Sequence, residues 1–261
     1  MPARILILDA IATNRIVLKV KMQAAQFEVD ACANRDDALR AISKNRPDLV
    51  LVNVADPTED NHTFCRTLRN TPETASISLI ATGISDTAMA RFAALDAGAD
   101  DVLPRPINDT LLLARIRSLL RVRSVGQELV LRDSTSRALG FEDARQNFEM
   151  PAQIAVVTTS PDAQAGMITA LSRDLRCPVA TIGIGAALGA DTPASPPDLL
   201  IIDASATPDD ERSMFGFVSD LRSRTGTRLA SQLIIAPRDQ PQVAALFLDL
   251  GADDVVADDV S

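Results

Sequence analysis

Short apolar runs alternate with longer amphipathic stretches along the first half of the chain. Residues 5–8 are isoleucine- and leucine-rich and break at Asp9, the pattern of a parallel strand buried on both faces. A helix capped at Thr13-Asn14-Arg15 follows to about residue 25, with Ile16, Val17, Val20 and Met22 near helical spacing. The alternation continues with strands at 27–31, 49–52, 77–81 and 102–103, and helices at 36–44, 64–68, 87–97 and 109–123. Gly98 is a helix stop. Parallel strands need crossover helices, so this order predicts a doubly wound parallel sheet. Sites in such sheets lie at the carboxyl ends of strands.

The pattern then starts again. Residues 126–145 are polar and helix-compatible and read as a linker helix. Strands follow at 154–157, 179–182, 199–202 and 233–235, with helices at 163–175, 213–221 and 242–250. The stretch 183–197, rich in Gly, Ala and Pro, predicts a loop where a helix would stand. Two matches set the register of the repeat. Pro47-Asp48-Leu49-Val50-Leu51-Val52-Asn53 parallels Pro197-Asp198-Leu199-Leu200-Ile201-Ile202-Asp203, and Leu95-Asp96-Ala97-Gly98-Ala99-Asp100-Asp101-Val102 parallels Leu248-Asp249-Leu250-Gly251-Ala252-Asp253-Asp254-Val255. The expected organisation is a domain at 1–123, a linker helix at 124–150 and a second copy at 151–261. No helix follows Val255-Val256, which would leave apolar sheet surface bare. The chain is therefore expected to continue in a longer protein.

Composition narrows the functional classes. The 261 residues carry a net charge of −9 and no basic run, which disfavours nucleic-acid binding. Trp and Tyr are absent, removing an aromatic stacking platform. Cys32, Cys65 and Cys177 have neither disulfide nor zinc-site spacing and read as small hydrophobes. The apolar run at 5–8 is too short for a signal peptide or membrane span, so the expected location is cytoplasmic, without membrane contact.

Taken as an ordered set, Arg4-Ile5-Leu6-Ile7-Leu8-Asp9, Pro47 to Asn53, Gly98-Ala99-Asp100-Asp101 and Pro104-Arg105-Pro106-Ile107 resemble the receiver domains of two-component signalling, most nearly those of PleD-type diguanylate cyclases. Asn14, Arg15 and the stretch 111–120 fit the same type. The resemblance covers essentially the whole chain. It implies two flavodoxin-like (CheY-like) α/β receiver domains, a receiver followed by a receiver-like adaptor, with a cyclic di-GMP-synthesising GGDEF domain beyond residue 261. It also implies a homodimer through the fourth helix, fifth strand and fifth helix. Further partners would be a histidine kinase or another signalling protein.

A phosphate-accepting receiver needs an acidic pair for Mg²⁺, a nucleophilic Asp after strand three, a Thr or Ser after strand four and a Lys before a proline after strand five. The first copy offers Asp9-Ala10, Asn53, Gly83 by gapless spacing, and Arg105. An amide is a poor nucleophile and brings no charge to a cation, so Mg²⁺ is expected only in an intact receiver, and Asp9 is at best a weak metal ligand here. Thr82 lies one residue off, a shift that on a strand turns a side chain to the other face. A single Asp-to-Asn replacement would account for Asn53 but not for Ala10, Gly83 and Arg105. The second copy keeps Asp203, but Thr158-Thr159 replaces the acidic pair, Ala236 or Pro237 the Thr, and Asp258 the Lys.

Other candidates are weaker. His62 has no partner spacing for a ligand or base role. Asp56, Glu59, Asp60, Asp100 and Asp101 could hold a cation but read as solvated surface. Gly183, Gly185 and Gly189 lack phosphate-loop spacing. Arg91, Asp96, Asp100 and Asp101 face Arg115, Arg117 and Arg121 across the expected dimer elements and could pair across a two-fold axis, or form a solvated face. The leading expectation is a non-enzymatic, non-phosphorylatable pair of pseudo-receivers that dimerises and controls an output domain. The alternative is a phosphorylation switch using Asp203.

Overall fold

The computed structural model describes residues 2–55, 60–138, 152–157, 161–175, 177–183, 197–204, 211–224 and 227–258. These form two compact units, 1–127 and 128–261. In the first, β1 (Arg4–Leu8), α1 (Ala12–Ala24), β2 (Glu28–Cys32), α2 (Arg35–Lys44), β3 (Leu49–Asn53), α3 (Asn61–Asn70), β4 (Ser78–Thr82), α4 (Ala88–Asp96), β5 (Asp101–Leu103) and α5 (Asp109–Ala138) follow in order. The strands are parallel, in the order β2-β1-β3-β4-β5. In the second, β6 (Ile154–Val157), α6 (Pro161–Leu175), β7 (Val179–Thr181), β8 (Leu199–Asp203), α7 (Glu211–Ser223), β9 (Ser231–Ala236), α8 (Pro241–Leu250) and β10 (Asp254–Ala257) carry a sheet of order β7-β6-β8-β9-β10. The second strand of each sheet sits at one edge, outside the first, and the crossing order is the same in both.

The central strands are apolar because helices cover both faces of the first sheet. Ile5, Ile7, Leu49, Leu51 and Ile80 pack with Leu18, Met22, Leu112 and Ile116 of α1 and α5. Leu6, Leu8, Val50, Val52, Leu79 and Ala81 face Ala38, Phe64, Leu68 and Ala94 of α2, α3 and α4. Cys65 is buried in this second layer, and burial pushes its thiol up to about 11. All three cysteines are free.

Local chemistry sets the ends of the elements. Asn34 caps α2 by accepting the Asp37 N–H (2.9 Å), as its place before an amphipathic run suggests. The start of α1 is different from the reading above. It begins after Ile11 without a side-chain cap, so Thr13, Asn14 and Arg15 lie inside the helix, and Asn14 is released for other work. β4 is shifted by one residue from the expected 77–81, which matters at the site below. The fifth helix does not stop near residue 123 but is continuous through Ala138; the rest of the expected linker, and the expected loop at 184–196, lie outside the described residues.

A half-buried arginine clamp recurs in both units. Arg69 of α3 donates Nε to the Gly98 carbonyl (2.6 Å), Nη1 to the carbonyls of Ala75 and Ile77 (2.6 and 2.9 Å), and Nη2 to Asp100 (2.6 Å). Gly98, at φ +99°, lets the chain turn there, and a Cβ at that position would stand 2.4 Å from Arg69 Cγ. Arg222 of α7 repeats the set with Gly251, Arg228, Ala230 and Asp253. Each aspartate then accepts a strand amide at 2.8 Å, from Leu79 in the first unit and Gln232 in the second. Leu79 and Gln232 therefore occupy the same place, and both are fully buried. Leu79 suits it. The amide oxygen and nitrogen of the Gln232 side chain have no hydrogen-bond partner among the described residues. Replacing a buried unpaired amide by an isosteric hydrocarbon removes its desolvation cost, so Gln232→Leu is expected to raise unfolding stability by about 1–3 kcal/mol in chemical denaturation.

Candidate functional site

The carboxyl ends of β1, β3, β4 and β5 bring Asp9, Asn53, Thr82 and Arg105 to one end of the first sheet. Asp9 is 2% exposed. Its Oδ1 accepts the Ile11 N–H (2.8 Å) and its Oδ2 the Asn14 side-chain amide (3.0 Å), while the Arg105 guanidinium stands 4.0 Å from Oδ2. Arg15 closes the turn by donating to the carbonyls of Asp9 and Ala10, both at 2.7 Å. The carboxylate is thus satisfied by neutral donors of its own chain and one cation at the edge of contact range.

Asn53 ends β3, 3% exposed, and does not offer a carboxylate. Its Oδ1 accepts the Ala55 N–H at 3.1 Å, and its carbonyl accepts the Asn61 side-chain amide at 2.7 Å. Gly83, at φ +90°, lies directly against it: a Cβ on Gly83 would sit 2.0 Å from Asn53 Oδ1. No side chain fits there while Asn53 keeps its place. Asn53 and Gly83 are therefore a matched pair, and the hydroxyl of a Thr or Ser has no room.

Thr82 departs from expectation. The one-residue offset was expected to turn it away, but the β3–β4 register pairs it with Asn53, so the two project to the same face of the sheet. Thr82 lines the same cleft as Asp9, Asn14 and Arg105, and its hydroxyl donates to the Val52 carbonyl (3.3 Å). The alternation argument failed because β4 ends at Thr82 and Gly83 already lies in the turn.

Mg²⁺ does not fit these residues. The described residues contain no group of three or more His, Cys, Asp or Glu able to hold a metal. Among the described residues at the carboxyl ends of the first sheet's strands, Asp9 is the one carboxylate, and each of its oxygens already accepts a hydrogen bond.

In the second unit Asp203 ends β8, 4% exposed. It pairs with Ile235 as Asn53 pairs with Thr82, which places Ala236, rather than Pro237, at the position of Gly83. The register of β9 and β10 puts Asp258 where Arg105 stands. Thr158 and Thr159 lie outside the described residues, as do Asp56, Glu59, Gly185 and Gly189. Asp60 caps α3 by accepting from Thr63, and His62 follows it in the first turn of that helix rather than in a loop. Gly183 has open space around it.

The charges expected to pair across a dimer are paired within one chain. Asp101 holds Arg115 at 2.8 Å with both side chains 13% exposed; Asp100 holds Arg69, Asp96 lies 3.6 Å from Arg66, and Arg91 bonds Asp86. Arg117 and Arg121 also have partners. What sequence reading passed over is the apolar face of α4: Met89, Phe92 and Leu95 are 77%, 66% and 48% exposed. Their three-residue spacing was the available signal.

Residues 5–117 match the family model of the response regulator receiver domain. Over 259 residues, 98% of this chain, the sequence is 30% identical to the response regulator PleD of Caulobacter vibrioides. A stretch of 121 residues is 39% identical to the response regulator MprA of a Mycobacterium species, 46% of this chain. The chain spans 56% of the length of the first and 52% of the second. Among solved structures, a putative response regulator from Chloroflexus aurantiacus matches at 30% identity and a TM-score of 0.45, covering 46% of this chain and 99% of that one. Among the described residues no helix is long and apolar enough to cross a membrane.

The Asn53–Gly83 contact of this receiver can be measured. Gly83→Ala is expected to cost about 1–3 kcal/mol of stability, from the left-handed backbone and the collision together. Combined with Asn53→Ala it should cost clearly less than the sum of the two single changes, because the collision is gone and only the backbone strain remains.

Proposed function

We propose that this chain is a cytoplasmic, non-enzymatic signalling module in which two receiver-like units act without taking up phosphate. They dimerise through the first unit and control an output domain beyond residue 261, a diguanylate cyclase. The observation that carries the reading is Asp9: its carboxylate is spent on Ile11 and Asn14, and Asn53 adds no second one. Phosphoryl transfer to aspartate depends on carboxylates that hold a cation and on a carboxylate nucleophile, and at these positions the first unit offers Asp9 with Ala10 and, for the nucleophile, Asn53. The common strand order and the repeated arginine clamp support reading the second unit as a receiver-like adaptor. The similarity to PleD over nearly the whole chain supports the cyclase. A histidine kinase or another signalling protein would then meet the module as a docking partner rather than as a phosphate donor.

Asp203 favours a second reading, a phosphorylation switch in the second unit, because its carboxylate stands in register with Asn53. Against it, the position of Arg105 is held by Asp258, which repels phosphate where a cation is needed. Incubation with acetyl phosphate and Mg²⁺ followed by intact mass measurement separates the two. Wild type, Asp203→Asn and Asn53→Asp are all expected to gain nothing; a phosphoryl increment in wild type that disappears in Asp203→Asn would establish the switch instead.

The dimer rests on α4 rather than on the charges. Three exposed apolar side chains on one helical face form a patch of the kind that seeks a partner. Light scattering is expected to give a dimer mass that Phe92→Glu converts to a monomer. A monomer throughout the micromolar range for wild type removes this part of the proposal.

A further inference from the structure

The cleft beside Asp9 has a volume of about 530 Å³, within the range of small-molecule sites. Its walls divide by chemistry. Val17 and Leu18 of α1 and Ile107 of the turn after β5 make one side apolar, while Thr82 and Arg105 line the sheet end. The charges nearly all cancel. Lys21 and Asp109 close the far rim as an ion pair at 2.6 Å. Asp9 is buried, and both its oxygens already accept hydrogen bonds.

Arg105 is what remains. Its side chain is 45% exposed, and its one ion-pair contact among the described residues is the 4.0 Å approach to Asp9, longer than a hydrogen bond. A guanidinium with donors to spare pairs bidentately with a carboxylate, sulfonate or phosphate head. The apolar wall beside it suits a hydrocarbon or aromatic body. A bare inorganic anion would leave that wall wet, and an organic cation would meet Arg105 head on.

We propose that this cleft binds a small amphipathic organic anion, its head on Arg105 and its apolar body against Val17, Leu18 and Ile107. Ile107 leads directly into α5, so occupancy acts on the helix that runs out to Ala138. The site takes its ligand whether or not an output domain follows, so the proposal stands apart from the reading above.

Amide chemical shifts of the full chain, titrated with octanoate and separately with octylammonium and inorganic phosphate, test it. Octanoate is expected to give saturable shifts at Val17, Thr82 and Ile107 in the millimolar range or below, with neither other probe reproducing them. Arg105→Gln should weaken octanoate about tenfold or more, the loss of one charge-assisted pair, while leaving the rest of the spectrum in place. Val17→Glu, on the exposed side of α1, should abolish binding by charging the apolar wall. Absence of saturable shifts, equal shifts with octylammonium or phosphate, or an unaffected Arg105→Gln variant would each overturn the proposal.

Discussion

Burying a carboxylate at the end of a central parallel strand has to be compensated, and in this protein Asp9 is compensated by its own chain. The Ile11 amide, the Asn14 side chain and the edge of Arg105 do the work that a divalent cation does where two carboxylates meet. Much of the local structure depends on this. α1 starts without a side-chain cap because its N-cap is Ile11, which has no acceptor, while Asn14 of its first turn reaches back to Asp9. Arg15 holds the carbonyls of the same turn. The carboxylate itself is buried, and its hydrogen bonds come from one short turn of its own chain.

Asn53 and Gly83 complete the same logic on the neighbouring strands. An amide in place of a carboxylate removes one negative charge that would otherwise face Asp9, and the glycine beside it leaves the room that the amide occupies. The two positions are coupled through a contact, so Asn53→Asp alone supplies neither a carboxylate at residue 10 nor a hydroxyl at residue 83. Arg105 keeps a positive charge but spreads it over a plane, and with Asp9 already satisfied it faces the cleft more than the carboxylate.

The two units share a frame that lies away from these strand ends. The arginine clamp ties α3 in the first unit and α7 in the second to the entry of β4 or β9 and to the glycine turn before β5 or β10, through backbone carbonyls and one aspartate. Because the bonds are to backbone, the frame tolerates wide change in the surrounding side chains, including the unpaired Gln232 in the place of Leu79. The two sheets share one strand order although the residues at their strand ends differ, Asn53 in one and Asp203 in the other.

Much of this was legible in the residues. The alternation of apolar runs with amphipathic stretches, the repeated Pro-Asp-apolar and Gly-Ala-Asp-Asp segments and the missing carboxylates at residues 10 and 53 are local patterns, and hydrophobic periodicity reports element type directly. A doubly wound parallel sheet and the identity of most strand ends followed. Other features required the fold. Thr82 faces the cleft because cross-strand register, not spacing along one strand, decides which side chains share a face. Asn14 serves Asp9 rather than its helix, and Asp101 holds Arg115 of its own chain, because a polar group pairs with the nearest partner in space. The chain alone determined which groups were available; only packing in three dimensions decided which of them were already spent.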